Sequence, residues 1–228
     1  IIQKFAYELS CENKSFYHGD AVFGYFTADA LTHQVGLDSG KHVPPWFVAE
    51  DIQITMIDLD ADKGKSPLHL PQPGRPHFHL PSEQLHFLDN AIVIPNAGRY
   101  DRGYVYARKK VNPRDWFYTC HFYQDPVMPG SLGVEAILQA MQIYALQQNL
   151  GEHFKSPRFG PISDNNTIWK YRGQIVSTNS EMALEVHIKQ IEHNKQQCFV
   201  TGDASFWKEN MRIYEIQDVG ICISEAGI

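Results

Sequence analysis

The stretch His121–Gln139, with the sequence HFYQDPVMPGSLGVEAILQ, places a histidine, a Pro-Gly turn and a glutamate ahead of an apolar helix. Histidine titrates close to neutral pH and serves as a base or an acid in proton transfer. Backbone amides at a helix start carry partial positive charge, so the turn at Gly130 can stabilise a developing oxyanion. The order of these groups predicts a site that moves protons beside an activated carbonyl group.

The helix that follows is predicted over 131–149 and is apolar around most of its circumference, so we expect it to be buried. Glu135, Gln139 and Gln142 lie at i, i+4 and i+7 and form one narrow polar seam along it. A buried glutamate keeps its proton more readily, because desolvation disfavours the charged form. The seam therefore predicts that Glu135 faces a cavity or an interface and donates a proton. The alternative is a solvated glutamate at a helix end, with the two glutamines lining an interface between protomers.

Motifs on both sides of the Pro-Gly turn resemble those of one family. They are GYVYA at 103–107, NPRDWF at 112–117, CHF at 120–122 and DPVMPG at 125–130. Over about 76–223 the chain resembles the FabA-type 3-hydroxyacyl-acyl carrier protein dehydratases, and within them the dehydratase domains of polyunsaturated fatty acid synthases. The resemblance implies an α+β hotdog fold, in which a long antiparallel sheet wraps around one central helix. It also implies that two hotdogs pair, as a tandem double hotdog or as a homodimer, to build the active sites.

The same resemblance implies roles for three residues. His121 matches the catalytic histidine, Gly130 the backbone donor to the thioester oxygen, and Glu135 the position of a catalytic aspartate. The implied reaction dehydrates a 3-hydroxyacyl-acyl carrier protein to the 2-enoyl form, in fatty acid or polyunsaturated fatty acid synthesis, without a cofactor or a metal. Double-bond isomerisation is left open, because these residues do not separate it from simple dehydration.

The sequence departs from the family pattern at two positions. Gln124 stands where glycine is usual, and Glu135 replaces the aspartate. The added methylene moves the carboxyl group by about a bond length, and a placement error of ~1 Å can lower a rate by ~100-fold. Two other functions therefore remain open: a hotdog acyl thioesterase, which would use a helix carboxylate to orient water, and a non-catalytic partner hotdog that completes a neighbouring site.

Bulk properties exclude several classes of partner and location. The net charge of -6 does not favour nucleic acid or a membrane surface as a partner. Four cysteines without paired spacing indicate a reduced compartment, and no apolar run approaches the ~20 residues of a membrane span, so we expect a cytoplasmic protein. Acyl carrier protein is the expected partner. The basic stretch at 108–110 is a candidate docking surface for it, with a solvated strand end as the default interpretation.

A short sequence pattern near the beginning of the chain is repeated near its end. Residues 12–23 recur in order as 193–206, with Asn-Lys, Gly-Asp-Ala and a phenylalanine in both copies. Each copy predicts a β-hairpin with an Asn-Lys bend, although a chance likeness between two hairpins is the alternative. We therefore predict that 1–46 form the C-terminal strands of a preceding, truncated hotdog, that 47–81 are a linker, and that 82–226 form a complete FabA-like hotdog.

Alternating apolar and polar residues at 182–189 predict a sheet with one buried face and one wet face. On that reading His187 lies on the wet face and has no role. The histidines at 69, 77 and 79 are interpreted as solvated linker residues rather than as a metal site. Strands are predicted at 51–59, 90–95, 102–111, 167–175, 182–191, 198–207 and 213–223.

Overall fold

The computed structural model describes residues 1–49, 54–59 and 66–226, and these divide into two compact units between Gln34 and Val35. The first part of the strand predicted at 51–59, and part of the predicted linker, lie outside the described residues. The first unit is a β-hairpin followed by a short helix. Its elements are β1 (Ile2–Cys11), β2 (Lys14–Gly24) and α1 (Ala28–Thr32).

The hairpin has one apolar face and one polar face. Phe5 lies opposite Ala21 and Tyr7 opposite Gly19, and paired residues of an antiparallel ladder share a face. The turn places Glu12 and Asn13 at φ values of 49° and 63°, the left-handed conformation that tight hairpin turns require. The apolar face is open, since the side chains along both strands are mostly exposed. The polar face carries Lys4, Glu8, His18 and Asp20.

The second unit wraps an antiparallel sheet of 8 strands against one long helix, α2. The strand order is β3-β4-β5-β8-β9-β10-β6, and β7 pairs with β10. This arrangement confirms the predicted α+β hotdog fold, while the predicted pairing with a second hotdog stays a prediction. The elements are β3 (Met56–Asp58), β4 (Asn90–Pro95), β5 (Gly103–Lys110), α2 (Gly130–Gln147), β6 (Pro157–Gly160), β7 (Ile168–Tyr171), β8 (Glu181–His193), β9 (Gln197–Lys208) and β10 (Met211–Glu225).

Helix α2 lies against the concave side of this sheet and contacts β4, β5, β8, β9 and β10. Its buried side is built from small and branched residues that let the strands approach closely, and each fully buried Ile or Met contributes roughly 1.5–3 kcal/mol. The predicted burial of the helix is confirmed. The α2 side chains with no exposed surface are Ala136, Ile137, Ala140, Met141, Ile143 and Ala145.

The prediction of a wet sheet face is wrong, because every residue from Met182 to Ile188 in β8 is buried. The cause is the segment 35–49, which crosses the outer face of the sheet. The Trp207 indole N–H donates to the Val43 carbonyl at 2.9 Å, and the Leu37 amide donates to the Arg212 carbonyl at 2.9 Å. The second unit begins at Val35, and the predicted division into 1–46, 47–81 and 82–226 stays a prediction.

A buried polar cluster fixes this covering segment on the sheet. Glu185 Oε2 accepts from the Trp46 amide and from the Tyr104 hydroxyl, each at 2.8 Å. Its other oxygen lies 3.4 Å from His187 Nε2, while His187 Nδ1 accepts from the Arg99 amide at 3.0 Å. Burial raises the pKa of Tyr104 far above its usual value. The placement of His187 on a wet face is thus wrong, since only 3% of it is exposed.

His69 is also buried, with 5% of its surface exposed, so its interpretation as a solvated residue is wrong. Its Nε2 lies 3.1 Å from His86 Nδ1. Burial, and then the neighbouring imidazoles, lower the pKa of His69 to about 4.

Across residues 1–49, 54–59 and 66–226, no group of three or more His, Cys, Asp or Glu side chains is arranged to hold a metal. None of the helices described there is both long and apolar enough to span a membrane.

Candidate active site

His121 lies in the connection between a 3-10 turn at Trp116–Thr119 and α2, and its backbone is held at both ends. Its amide donates to the Phe117 carbonyl at 2.9 Å, and its carbonyl accepts from the Val127 amide at 2.8 Å. Its ring Nδ1 lies 3.0 Å from the Val127 carbonyl. Because a carbonyl oxygen only accepts, Nδ1 carries the proton, and Nε2 keeps the lone pair that a base needs.

The loop from His121 delivers the chain directly to the start of α2. The Met128 amide donates to the Ile175 carbonyl at 2.8 Å, which fixes the loop two residues before Gly130. The first amides of a helix have no acceptor within it and lie at its positive end. Gly130 is required here, because a Cβ would lie 2.8 Å from Tyr171 and 2.9 Å from Trp169. The helix start therefore offers an amide donor where no side chain can stand.

Glu135 is half-buried on the second turn of α2 and is hydrogen-bonded to Gln139, the next residue of the predicted polar seam. Its Oε1 accepts from Gln139 Nε2 at 2.9 Å. Gln139 is 3% exposed and is itself fixed, since its Nε2 donates to the Leu85 carbonyl at 2.8 Å and its Oε1 accepts from the Phe87 amide at 3.2 Å. One carboxylate oxygen of Glu135 is thus held by a rigid amide, and the other has no hydrogen bond from Gln139.

The described residues bring two of the three predicted site residues together within one loop. His121 and Gly130 are the ends of that loop, which the two bonds between His121 and Val127 close. Glu135 lies further along α2, and no ion pair within 4.0 Å joins its carboxylate to the His121 ring among the residues described. The structure therefore fixes His121 in the loop that leads to Gly130, and fixes the Glu135 carboxyl group through Gln139.

Sequence reasoning missed an aromatic cluster at the start of α2. The Tyr214 hydroxyl donates to the Gly130 carbonyl at 3.2 Å, and burial raises its pKa well above the usual value. Tyr171 packs edge-on against Tyr214 at 4.6 Å between ring centroids, and Trp169 stacks on Tyr171 at 5.4 Å. The available signal was the pair Gly130 and Gly133, since two glycines one turn apart in a helix indicate close approach by bulky groups.

An open groove of about 370 Å³ is lined in part by Phe87, whose amide donates to Gln139. A small apolar cavity lies beside it and shares Phe87 and Phe117 with it. The predicted basic docking stretch lies near this groove, and its Lys109 is paired with Asp89 at 3.5 Å. The groove is otherwise lined by Glu83, Gln84, His86, Asn112, Asp115 and Trp116.

Comparison with known proteins identifies the family of the second unit. The model of the FabA-like domain matches residues 80–217, which include α2 and the whole stretch His121–Gln139. One protein of the polyunsaturated fatty acid synthase of Thraustochytrium sp. is 33% identical over 228 residues, and the match covers 98% of this chain but 15% of that relative.

The solved structures that match include the following two, both at low identity. The dehydratase heterocomplex ApeI:P from Xenorhabdus doucetiae matches with a TM-score of 0.41 and 12% identity, over 65% of this chain and 86% of that chain. A putative thioesterase from Shewanella oneidensis matches with a TM-score of 0.36 and 9% identity, over 59% of this chain and 82% of that chain.

Proposed function

Because this chain belongs to the FabA-like domain family, we propose that it removes water from a 3-hydroxyacyl group carried as a thioester on acyl carrier protein. The product is the 2-enoyl thioester. The observation that carries this proposal is the bond between His121 Nδ1 and the Val127 carbonyl, because it leaves Nε2 free to act as a base beside the start of α2.

The base in this reaction is His121 Nε2, which takes the proton from the α-carbon of the acyl group. The thioester makes that proton more acidic, so an imidazole is a strong enough base to remove it. The Val127 carbonyl keeps the ring in one tautomer before the transfer and accepts from the Nδ1–H of the imidazolium after it. A positioned base of this kind contributes roughly 10²–10⁴-fold to the rate.

The Gly130 amide donates a hydrogen bond to the thioester oxygen, on which negative charge develops during the reaction. The donor is fixed before the substrate arrives, because Tyr214 and the aromatic cluster hold the first turn of α2. A donor that needs no reorganisation is worth more than the same donor in water, and removing one such hydrogen bond costs about 2.7–4 kcal/mol in transition-state stabilisation. The positive end of α2 adds to this effect.

Glu135, in its protonated form, delivers a proton to the departing 3-hydroxyl group. The C–O bond breaks as the C=C bond forms, and the hydroxyl leaves as water; solvent then returns His121 and Glu135 to their starting forms. Gln139 orients the carboxyl group through Oε1, which leaves the other oxygen for the substrate.

The proposed site needs a second hotdog, as a tandem copy or a homodimer mate. The pairing of two hotdogs that the family resemblance implies supports this, since acid and base must flank the same two carbon atoms. In this arrangement the Glu135 of one hotdog serves the His121 of the other.

The test is a dehydration assay on the wild type, His121→Ala, Glu135→Gln and Glu135→Asp, with enoyl product and free thiol both measured. We expect His121→Ala and Glu135→Gln to lose at least ~100-fold in kcat, and Glu135→Asp to retain activity. Cys120→Ala is the matched control, because its exposed side chain adjoins the base but has no role in the reaction.

Three outcomes would contradict the proposal. Free thiol without enoyl product would indicate a thioesterase. If the intact assembly that carries His121→Ala turned over substrate as fast as the wild type, this chain would be a non-catalytic partner hotdog. If Cys120→Ala lowered kcat as much as His121→Ala, the effect of both substitutions would be structural. The position of the double bond in the product separates simple dehydration from dehydration with isomerisation.

A further inference from the structure

We infer that the indole ring of Trp169 is a specificity-determining contact for the arm that carries the acyl group. The ligand is the flexible pantetheine chain of the carrier, a row of methylene and amide groups next to the thioester. This inference rests on the proposed function and names a binding residue that the reaction itself does not require.

The position of Trp169 follows from its strand. Strand β7 pairs with β10 through Trp169 and Ile216, and side chains on a strand alternate between its faces. Trp169 and Tyr171 therefore share one face, and their rings stack at 5.4 Å with 9° between their planes. Lys170 lies on the opposite face, where it pairs with Glu215 at 2.6 Å.

The stacked pair packs against Gly130, the residue whose amide the proposed reaction uses. A Cβ built on Gly130 would lie 2.8 Å from Tyr171 and 2.9 Å from Trp169. Trp169 also packs edge-on against Tyr214, at 5.3 Å between ring centroids, and Tyr214 is bonded to the Gly130 carbonyl. The three rings form one rigid wall beside the first turn of α2.

The wall runs from the protein interior to solvent. Tyr214 is 1% exposed, whereas Trp169 is 40% exposed. A thioester whose carbonyl binds at the Gly130 amide has to extend its arm from the helix start to the surface. The outermost ring of the wall is the flat apolar surface along that path. Aromatic rings of this kind supply contact area with little loss of side-chain entropy.

The arrangement predicts a contact that depends on the length of the arm. A full pantetheine arm reaches the exposed ring, but a thioester of N-acetylcysteamine ends close to the sulfur and makes less contact with it. Loss of the ring should therefore raise KM for the carrier-bound substrate and leave KM for the truncated substrate unchanged. Because Trp169 also belongs to the aromatic cluster beside Gly130, any change in kcat should be equal for the two substrates, and the ratio of the two KM values decides.

The experiment measures kcat and KM of the wild type and Trp169→Ala with one 3-hydroxyacyl group on acyl carrier protein and on N-acetylcysteamine. We expect KM for the carrier substrate to rise by up to ~10-fold in Trp169→Ala, as for an aromatic contact worth roughly 0.5–1.5 kcal/mol. Trp169→Phe keeps a flat ring and should recover most of that loss. Ile168→Ala is the control, because this exposed neighbour lies on the other face of β7 and should change neither KM.

An equal rise of KM for both substrates, or no rise for either, would overturn the inference. If Trp169→Ala does not fold, Trp169→Leu keeps apolar volume at the helix start without a flat face, and the same ratio of KM values decides. A wild-type protein that dehydrates neither substrate would overturn the proposed function, and this inference with it.

Discussion

The two hairpins β1–β2 and β8–β9 carry the same sequence pattern in different surroundings. In β2, Ala21 lies opposite Phe5 and Gly19 opposite Tyr7. In β9, the equivalent residues Ala204 and Gly202 lie opposite Val186 and Ile188, so the two registers match. The face that carries these residues is packed under α2 in the second hairpin and is exposed in the first.

One pair of residues shows how far the surroundings differ. Phe206 has no exposed surface, whereas 57% of its counterpart Phe23 is exposed. Register is a local property, because a turn and a pattern of alternation set it. Burial is not local, since it depends on a helix that is distant in sequence. The repeated pattern is consistent with a preceding hotdog at the start of the chain, and that assignment stays a prediction.

The largest expected difference comes from truncating the paired phenylalanines. Phe206→Ala should lower the free energy of unfolding of the second unit by about 3–5 kcal/mol, because it leaves a cavity under α2. Phe23→Ala should change it by no more than about 0.5 kcal/mol, since the side chain is exposed. Urea unfolding of both variants checks this. Similar losses in the two would break the comparison, and would show that the first hairpin is covered in solution.

A smaller effect is expected on the opposite faces of the same hairpins. Glu185 and Lys4 occupy equivalent positions, but only Glu185 is buried, where it binds Trp46 and Tyr104. Glu185→Gln should destabilise the second unit by about 1–3 kcal/mol, because an amide cannot accept from all the donors that the carboxylate satisfies. Lys4→Gln is the control and should be neutral. Equal urea midpoints for the two variants would argue against a stabilising role for the segment 35–49.

The effect that is smallest at neutral pH concerns the dependence of stability on pH, and compares His69 with the exposed His18. The pKa of His69 is lowered in the folded protein to about 4 from 6.5, so the unfolded state binds more protons between these values. The contribution of neutral His69 to stability is therefore complete above pH 6.5 and is lost as the pH falls toward 4. His69→Gln should flatten the dependence of the urea midpoint on pH in this window, whereas His18→Gln should leave the profile unchanged. An unaltered profile in His69→Gln would refute the assignment.

The parts of the fold that could be predicted from the sequence rest on local patterns. Helix α2 was expected at 131–149 and spans Gly130–Gln147, and β4 spans the predicted range at 90–95. The short β6 was not predicted, because four residues carry too little periodicity. The covered outer face was missed because Trp46 and Glu185 are separated by 139 positions, and no pattern within β8 reveals such a partner.

The candidate site also has a part that local spacing predicts and a part that it does not predict. The i, i+4 spacing of Glu135 and Gln139 predicted their contact, and the loop from His121 to Gly130 is contained in one motif. The backbone groups that hold Gln139 belong to Leu85 and Phe87, which lie 54 and 52 positions earlier. Such contacts arise from the folded chain and leave no periodic trace in the sequence.

The hydroxyl of Tyr214 joins the first turn of α2 to the last long strand, across 84 positions of sequence. A nascent chain on the ribosome therefore has α2 available long before it can fix the end of that helix. The amide end of the helix is among the last parts of the domain to be completed during synthesis. A polypeptide that stops before β10 carries His121 and Gly130 in its sequence, yet lacks the tyrosine that anchors Gly130.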